Sequence, residues 1–583
     1  MKKSLILFLC LVMVTTAFLA GCSSTDEPEV AETQPAGEET TEAATEAPDT
    51  SNEPSGTLIV GITEASGNFN PLYYSSSYDG YVVDMVFEGL IALNFDGEYE
   101  GVIAKDWEYS EDGKSITFNM RDDVVFSDGQ PLTAHDVVFT YLVLADPSYT
   151  GRYGSAVKDM VGYEAFYAGE TDTFEGVVAL DDYTVQFNFT EALRTNFSNT
   201  GYSILPKHYY GADYAVGNTA GVEAITTEAM GSGPYMIAQF RDKELVYLER
   251  NPLYSGEGYM IKEIILKFVD MTTDIVELTS GSVDLLAGVI EPTKIAEARN
   301  GGFSINSYNR SGYGYIKTNN EWGPTSEKAV RQALYYSFNV KEFVNSYYYD
   351  KDTDQVLASV QYHPFSQVSW AITDELLDSM IEYDFDLEKA KSILDEAGWT
   401  INADGYREKD GQVMELNIAA MPDHDILATL IPMWERDWGQ GLGVKLNISY
   451  LEFNTILDYV IYNSDANVEN WSLFFLATSI TTPDPHSLYT TFHSDYIGSG
   501  NDNTSRYSNP TVDALLDEAK AIMDIEEAKP KYAEIAKILN EDAAMMPVYA
   551  NTYFDLYNPK LVDFKTSSLY DWVSALKDAK IVE

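Results

Sequence analysis

The chain has 583 residues, 37 of them Lys or Arg and 92 Asp or Glu, for a formal charge of −55. That balance argues against nucleic acid, whose phosphates need a basic patch, and against a polybasic membrane-surface protein. An apolar content of 45% and an aromatic content of 13% exclude a disordered chain, while the length predicts about three or four domain-sized units.

Lys2 and Lys3 precede an apolar run that ends in Leu19-Ala20-Gly21-Cys22, after which the chain turns polar. A basic start, an apolar core and small residues at the end make a secretory signal. A cysteine at the cleavage position resembles the bacterial lipoprotein signal. The resemblance implies loss of residues 1–21 and lipid on the sulfur of Cys22; an ordinary signal with an incidental cysteine is the other reading. The only other cysteine, Cys10, leaves with the signal, so there is no disulfide framework and no cysteine zinc site. Residues 23–55 carry ten acidic side chains and no Lys or Arg. With Cys22 they read as a disordered acidic tether with a reach of about 30 Å.

The body opens at 58–62 with a buried-strand pattern ended by Gly, then a loop rich in Asn and Tyr that holds Tyr73 and Tyr74. Apolar spacing predicts a helix over 79–93, with Val82, Met85, Val86, Leu90 and Leu93 on one side. Asp96-Gly97, Asp112-Gly113 and Asp128-Gly129 are hairpin turns between strand-like runs. Thr133 with Asp136 predicts an acidic capping box opening a helix over 134–144. Residues 177–189 read as a strand pair turning at Asp181-Asp182, and 244–249 and 263–269 as strands. A strand over 304–319 would put Tyr313, Tyr315, Lys317 and Asn319 on one face. Helices are predicted over 326–343, over 386–397 (closed by Gly398), from Asn509-Pro510 and over 528–539, followed by a strand over 546–556. Strands alternating with helices make the class α/β with β-rich insertions.

No dinucleotide, Walker, zincin or nucleophile-elbow motif is present. None of the six histidines pairs at helical metal spacing. His486 and His493, near Asp484, form a metal pair only if a turn joins them, and surface histidines are the simpler reading. Neither a cofactor nor a metal is expected. The excess is aromatic: 42 Tyr, 26 Phe and 8 Trp, with clusters in loops. Tyr offers a flat apolar face and a polar tip at low rotamer cost, which suits a binding cleft. Core packing explains aromatics equally well, and both readings stay open for the loop clusters.

The motifs resemble one family. Phe87-Glu88-Gly89-Leu90, Ile103-Ala104-Lys105-Asp106-Trp107, Thr117-Phe118-Asn119-Met120-Arg121, Phe126-Ser127-Asp128-Gly129, Gly231-Ser232-Gly233-Pro234-Tyr235, Glu249-Arg250-Asn251-Pro252, Val330-Arg331-Gln332-Ala333-Leu334 and Asp484-Pro485-His486 occur in the order and spacing of the extracellular solute-binding proteins of ABC importers, family 5, the peptide- and nickel-binding group. The resemblance covers essentially everything after Gly56. It implies a two-lobed, Venus-flytrap α/β architecture (periplasmic binding protein-like, class II) with an extra β-rich subdomain. Lobe I would comprise 56–87, 203–306 and 548–583, the β-rich subdomain 88–202, and lobe II 307–547. It implies a receptor and not an enzyme: a solute, in the first place an oligopeptide or dipeptide, is captured by closure of the lobes and handed to permease subunits driven by their ATPases. A monomer on the outer face of the cell membrane, held by its lipid, fits that role.

The ligand is expected near Tyr73, Tyr74, Tyr313, Tyr315, Asn319 and Trp471, and near Thr478, Thr481 and Asp484 of the following loop. Peptide-binding members of the family usually carry an Asp in this loop for the peptide's amine; here the matching position is Thr481. A hydroxyl offers an ammonium no charge–charge attraction, and Asp484, which precedes Pro485, reads more readily as a turn residue. Amine anchoring is therefore expected to be weak or displaced, and an uncharged solute such as an oligosaccharide is the alternative ligand. A lipid-anchored hydrolase and a sensory or adhesion receptor without a permease are the rival classes.

Overall fold

The computed structural model describes residues 53–480 and 482–582. The signal, Cys22, the tether through residue 52, and Thr481 lie outside the described residues. A mixed sheet of twelve strands organises the body. From one edge it runs Lys445–Tyr450, Glu415–Ala420, Leu473–Ala477, Gly314–Thr318, Met546–Tyr557, Leu285–Val289, Ser55–Ile62, Ile261–Phe268, Leu245–Arg250 and Tyr235–Arg241, while Ser304–Asn309 and Ala358–Val360 also pair with Met546–Tyr557. Ser55–Ile62 lies parallel to both Ile261–Phe268 and Leu285–Val289. A parallel strand with two neighbours is covered on both faces, which is why it reads as a continuous apolar run with Leu58 and Val60 fully buried.

The long strand Met546–Tyr557 joins the two halves of the sheet. Its first residues pair with Gly314–Thr318 and Ala358–Val360, and its last with Ser304–Asn309 and Leu285–Val289. The chain passes between the halves a second time at 310–313, where the Arg310 N–H donates to the Asn551 carbonyl at 3.0 Å. A Cβ at Gly312 would overlap the Thr478 carbonyl, so this pass requires glycine.

The hairpin-rich section forms a four-stranded antiparallel sheet, ordered Ala104–Tyr109, Ser115–Met120, Thr184–Asn188 and Val177–Asp181. Helix Ala134–Ala145 opens with the Thr133–Asp136 capping box expected from the sequence. One apolar core runs from Leu58 and Val60 of the large sheet to Ile116, Phe118, Val185 and Phe187 of the small one. Separate cores gather around Trp434 and Trp438, whose rings stack 5.1 Å apart, and around Tyr532 and Leu539.

Three expected elements are shorter than their apolar patterns. The 79–93 helix ends at Val86, and Ile91–Leu93 is a strand. Gly89 sits against the Gly201 carbonyl, a contact that any side chain would block. The 304–319 strand is two strands broken by the pass at Arg310. The 326–343 helix is Lys328–Ser337 and Val340–Tyr347, because the Asn339 side chain caps the second by accepting from the Glu342 N–H. Arg331 of the first helix is buried. Its guanidinium donates to the carbonyls of Asp542 and Ala543 at 2.9–3.2 Å and to those of Thr325 and Ser326 at 3.0 and 2.9 Å. It thereby closes the turn that leads from helix Ile525–Glu541 into the long strand. Among the described residues no helix is long and apolar enough to cross a membrane.

Candidate ligand-binding site

A cavity of about 200 Å³ opens beside strand Gly314–Thr318, lined by residues of the half that holds that strand. Tyr313, Tyr315 and Lys317 reach it from alternate positions, as the period of a strand requires. Thr478, Ser479 and Ile480 line it from the loop that continues Leu473–Ala477. A void of about 10 Å³ on the same loop is lined by Asp484 with Pro364 and Leu488. Among the described residues the backbone N–H groups of Ser479 and Ile480 find no acceptor, whereas the Thr478 N–H is already bonded to the Tyr313 carbonyl. The loop thus leaves the strand ladder at Thr478, and Ser479 and Ile480 continue it beside the cavity.

The expected site residues divide in two. Tyr313, Tyr315 and Thr478 share the cavity. The Tyr313 hydroxyl donates to the Pro364 carbonyl at 2.9 Å, which pins that ring and leaves Tyr315 the more exposed of the pair. The Thr478 carbonyl accepts two bonds from Arg310, at 2.7 and 3.1 Å, which ties the loop to the pass between the halves. Asn319 is fully buried. It donates to the carbonyls of Val468 and Trp471 and accepts from the N–H groups of Glu321 and Trp322, so its side chain is spent on the chain's own backbone. Trp471, also buried, packs edge-on to Phe474 at 5.2 Å. The face expected for 313–319 therefore holds as far as Lys317 and turns away beyond the strand's end.

Tyr73 is buried edge-on to Tyr149, 5.1 Å between centroids, and burial pushes its hydroxyl up to about 12. Tyr74 is half-buried beneath Arg152, whose guanidinium lies 4.8 Å from the rings of both Tyr74 and Tyr153. Asp84, on the neighbouring helix, has solvent contact. Even so, burial, with Asp571 adding repulsion, lifts its carboxyl to about 7.

Asp484 has a partner at each oxygen. One accepts from the His486 N–H at 3.0 Å, the turn bond expected before Pro485. The other accepts from Arg194 Nε at 3.0 Å. Arg194 comes from the hairpin-rich section, 290 residues earlier. It also donates to the carbonyls of Ala519 (3.2 Å) and Ile522 at the end of helix Pro510–Ala521 and to the Tyr532 hydroxyl at 3.3 Å, and it stacks 5.4 Å from Trp370. A cation at a helix C-terminus faces the negative end of its dipole. Lys158 of the same section lies 4.7 Å over Tyr496. The sequence gives no sign of Arg194, since no spacing links it to residues so far along the chain. For Lys317 as a ligand group, its alternation with Tyr313 and Tyr315 is the one available signal. His486 and His493 each stack on the Tyr489 ring, 5.8 and 4.9 Å between centroids. Among the described residues no group of three His, Cys, Asp or Glu is placed to hold a metal ion.

A mixed α/β sheet in two halves, with a small antiparallel sheet beside it and a tyrosine-lined cavity on one half, suits a binding protein. The chain matches the family model described as bacterial extracellular solute-binding proteins, family 5 (middle), over residues 98–500, and it belongs to that family. It is therefore a transport receptor of ABC import, not an enzyme, of the kind that works outside the cytoplasmic membrane. The chain is 25% identical to the oligopeptide-binding protein AppA of Bacillus subtilis over 549 residues, covering 93% of this chain and 92% of that one. It is 26% identical to heme-binding protein A of Haemophilus influenzae over 550 residues, covering 90% and 92%. Among solved structures, that of AppA with a nonapeptide has a TM-score of 0.80 at 22% identity, covering 91% of this chain and all of that one. Lactococcal OppA, complexed with an endogenous peptide in the closed conformation, has a TM-score of 0.77 at 19% identity, covering 90% and 100%.

Proposed function

We propose that the solute is a peptide, captured between two lobes that close on it and delivered to a membrane permease with its ATPases. The observation that carries this reading is that the N–H groups of Ser479 and Ile480, beside the cavity, have no acceptor among the described residues, so that an extended peptide can pair there as an added strand whatever its sequence. The oligopeptide-binding relatives support the same class. The lobes divide as the resemblance implies, with 307–547 the second lobe, and the passes at 310–313 and 549–552 join them. Ligand that touches both lobes favours the closed form and shifts the population toward it. Hinge closure of this kind around a ligand is well attested for periplasmic binding proteins.

Calorimetry with matched pentapeptides, N-terminally free and acetylated, tests the reading. Both forms are expected to bind, with acetylation costing less than about 100-fold, or about 2.7 kcal/mol. This is because Thr481 brings no charge and Asp484 is held by Arg194. Solution scattering of the same mixtures should show the radius of gyration fall at saturation. No binding of any peptide, with tight binding of an oligosaccharide, would overturn the peptide assignment.

The protein acts as a monomer tethered by lipid on Cys22, with its acidic tether spanning the gap to the permease. A Cys22→Ala variant is expected in the medium or as a soluble pool. Retention in the membrane fraction with the signal removed would rule out the anchor.

A further inference from the structure

We propose that Lys317 is an anion subsite of the cavity and takes a carboxylate group of the bound ligand. The inference rests on the reading of this cavity as the ligand site and deepens it by naming a chemistry.

Lys317 sits mid-strand, 6% exposed, with Tyr315 two positions before it on the same face. Its ammonium lies 5.2 Å from the Tyr315 ring centroid. Among the described residues its one side-chain hydrogen bond is donated to the Thr504 hydroxyl at 2.6 Å, and no carboxylate stands within ion-pair distance. Asp502 acts on it only from farther off, and burial pulls its pKa down to about 8. An ammonium has three protons to donate. Here one goes to a neutral hydroxyl, and the residue lines a cavity of about 200 Å³.

Buried charge is ordinarily paired, because leaving it alone is costly. Among the other strongly buried cations, Lys294 is paired with Asp274 and Glu291, Arg506 with Glu321 and Asp465, Arg407 with Asp395 and Arg194 with Asp484. Arg331 and Arg310 give their protons to backbone carbonyls instead. Lys317 differs from all of them in having neither a carboxylate nor a carbonyl while facing a cavity. A ligand carboxylate placed there completes its coordination and removes the penalty. The protein's charge of −55 offers an anionic ligand no general attraction, so its binding there depends on the local contact with Lys317. Two peptide groups supply the chemistry, an acidic side chain or the C-terminal carboxylate.

Three pentapeptides separate these sources: Ala-Ala-Gln-Ala-Ala amide, Ala-Ala-Glu-Ala-Ala amide, and Ala-Ala-Gln-Ala-Ala with a free C-terminus. One of the two carboxylate peptides is expected to bind the native protein at least 10-fold more tightly than the neutral amide, and which one it is identifies the source. Lys317→Met should reduce that ratio to within about 3-fold, and Lys317→Arg should preserve it. Equal binding of all three by the native protein overturns the proposal. So does a ratio that survives in Lys317→Met, which would leave the lysine only the task of holding Thr504. If no peptide binds, the peptide assignment fails, and glutarate against glutaramide decides the subsite. Glutarate binding lost in Lys317→Met sustains it, and the absence of any preference for glutarate overturns it.

Discussion

Replacing Arg194 by Ala is expected to weaken ligand binding by about 10- to 100-fold, about 1.4–2.7 kcal/mol, without unfolding either half of the protein. Arg194 makes an ion pair, two carbonyl bonds, a hydroxyl bond and an aromatic stack across a junction where two distant stretches of chain meet. Removing one member of a largely buried pair costs about 3–5 kcal/mol when the other stays buried. In an open form, however, Asp484 and the end of helix Pro510–Ala521 return to water, which limits the loss. The penalty therefore falls on the closed form and is read as affinity and not as stability. Arg194→Lys should recover only part, because an ammonium cannot span a carboxylate and two carbonyls with the geometry of a planar fork. Calorimetry gives the affinity, and scattering on the ligand-free protein should show a larger radius than the native chain. An affinity within about twofold of native would remove Arg194 from the closure mechanism.

Arg331→Met should act on the other quantity, lowering the stability of the half that contains it by about 3–5 kcal/mol. The methionine replaces the aliphatic stem of the side chain but leaves the carbonyls of Asp542, Ala543, Thr325 and Ser326 without donors in a buried site. Burial holds the guanidinium at about 10, low for an arginine yet still charged at neutral pH, so the native contacts persist across the physiological range. Denaturant unfolding followed by Trp fluorescence reports on this half directly, through Trp434 and Trp438. A loss under about 1 kcal/mol would show that water replaces the guanidinium there.

The contrast between these arginines shows what the sequence could carry. Local chemistry was legible. The capping box at Thr133, the Asn509-Pro510 helix start and the Gly398 stop depend on residues within four positions of one another, and each is found where it was expected. The three misjudged elements failed where a distant contact or a cap cuts a good local pattern: the Gly201 carbonyl against Gly89, the Thr478 carbonyl against Gly312, and the Asn339 cap inside an otherwise continuous helical stretch. The site was half legible for the same reason. Tyr313, Tyr315 and Lys317 share a face by strand period alone. Whether Asn319 and Trp471 face ligand or the chain's own backbone is decided by a turn that no period encodes.

The long strand Met546–Tyr557 has one more consequence, for the order of assembly. It is the neighbour of Gly314–Thr318 in one half of the sheet and of Leu285–Val289 in the other, yet it follows both by more than 200 residues in the chain. Neither half can complete its pairing until residue 546 has emerged, so the segments that precede it must wait for it. Pairings so far apart in sequence form slowly, because the intervening loop entropy is lost before any contact rewards it. For a protein that works on the far side of a membrane, such lateness is useful: a chain that cannot finish folding during synthesis remains a thread long enough to be exported.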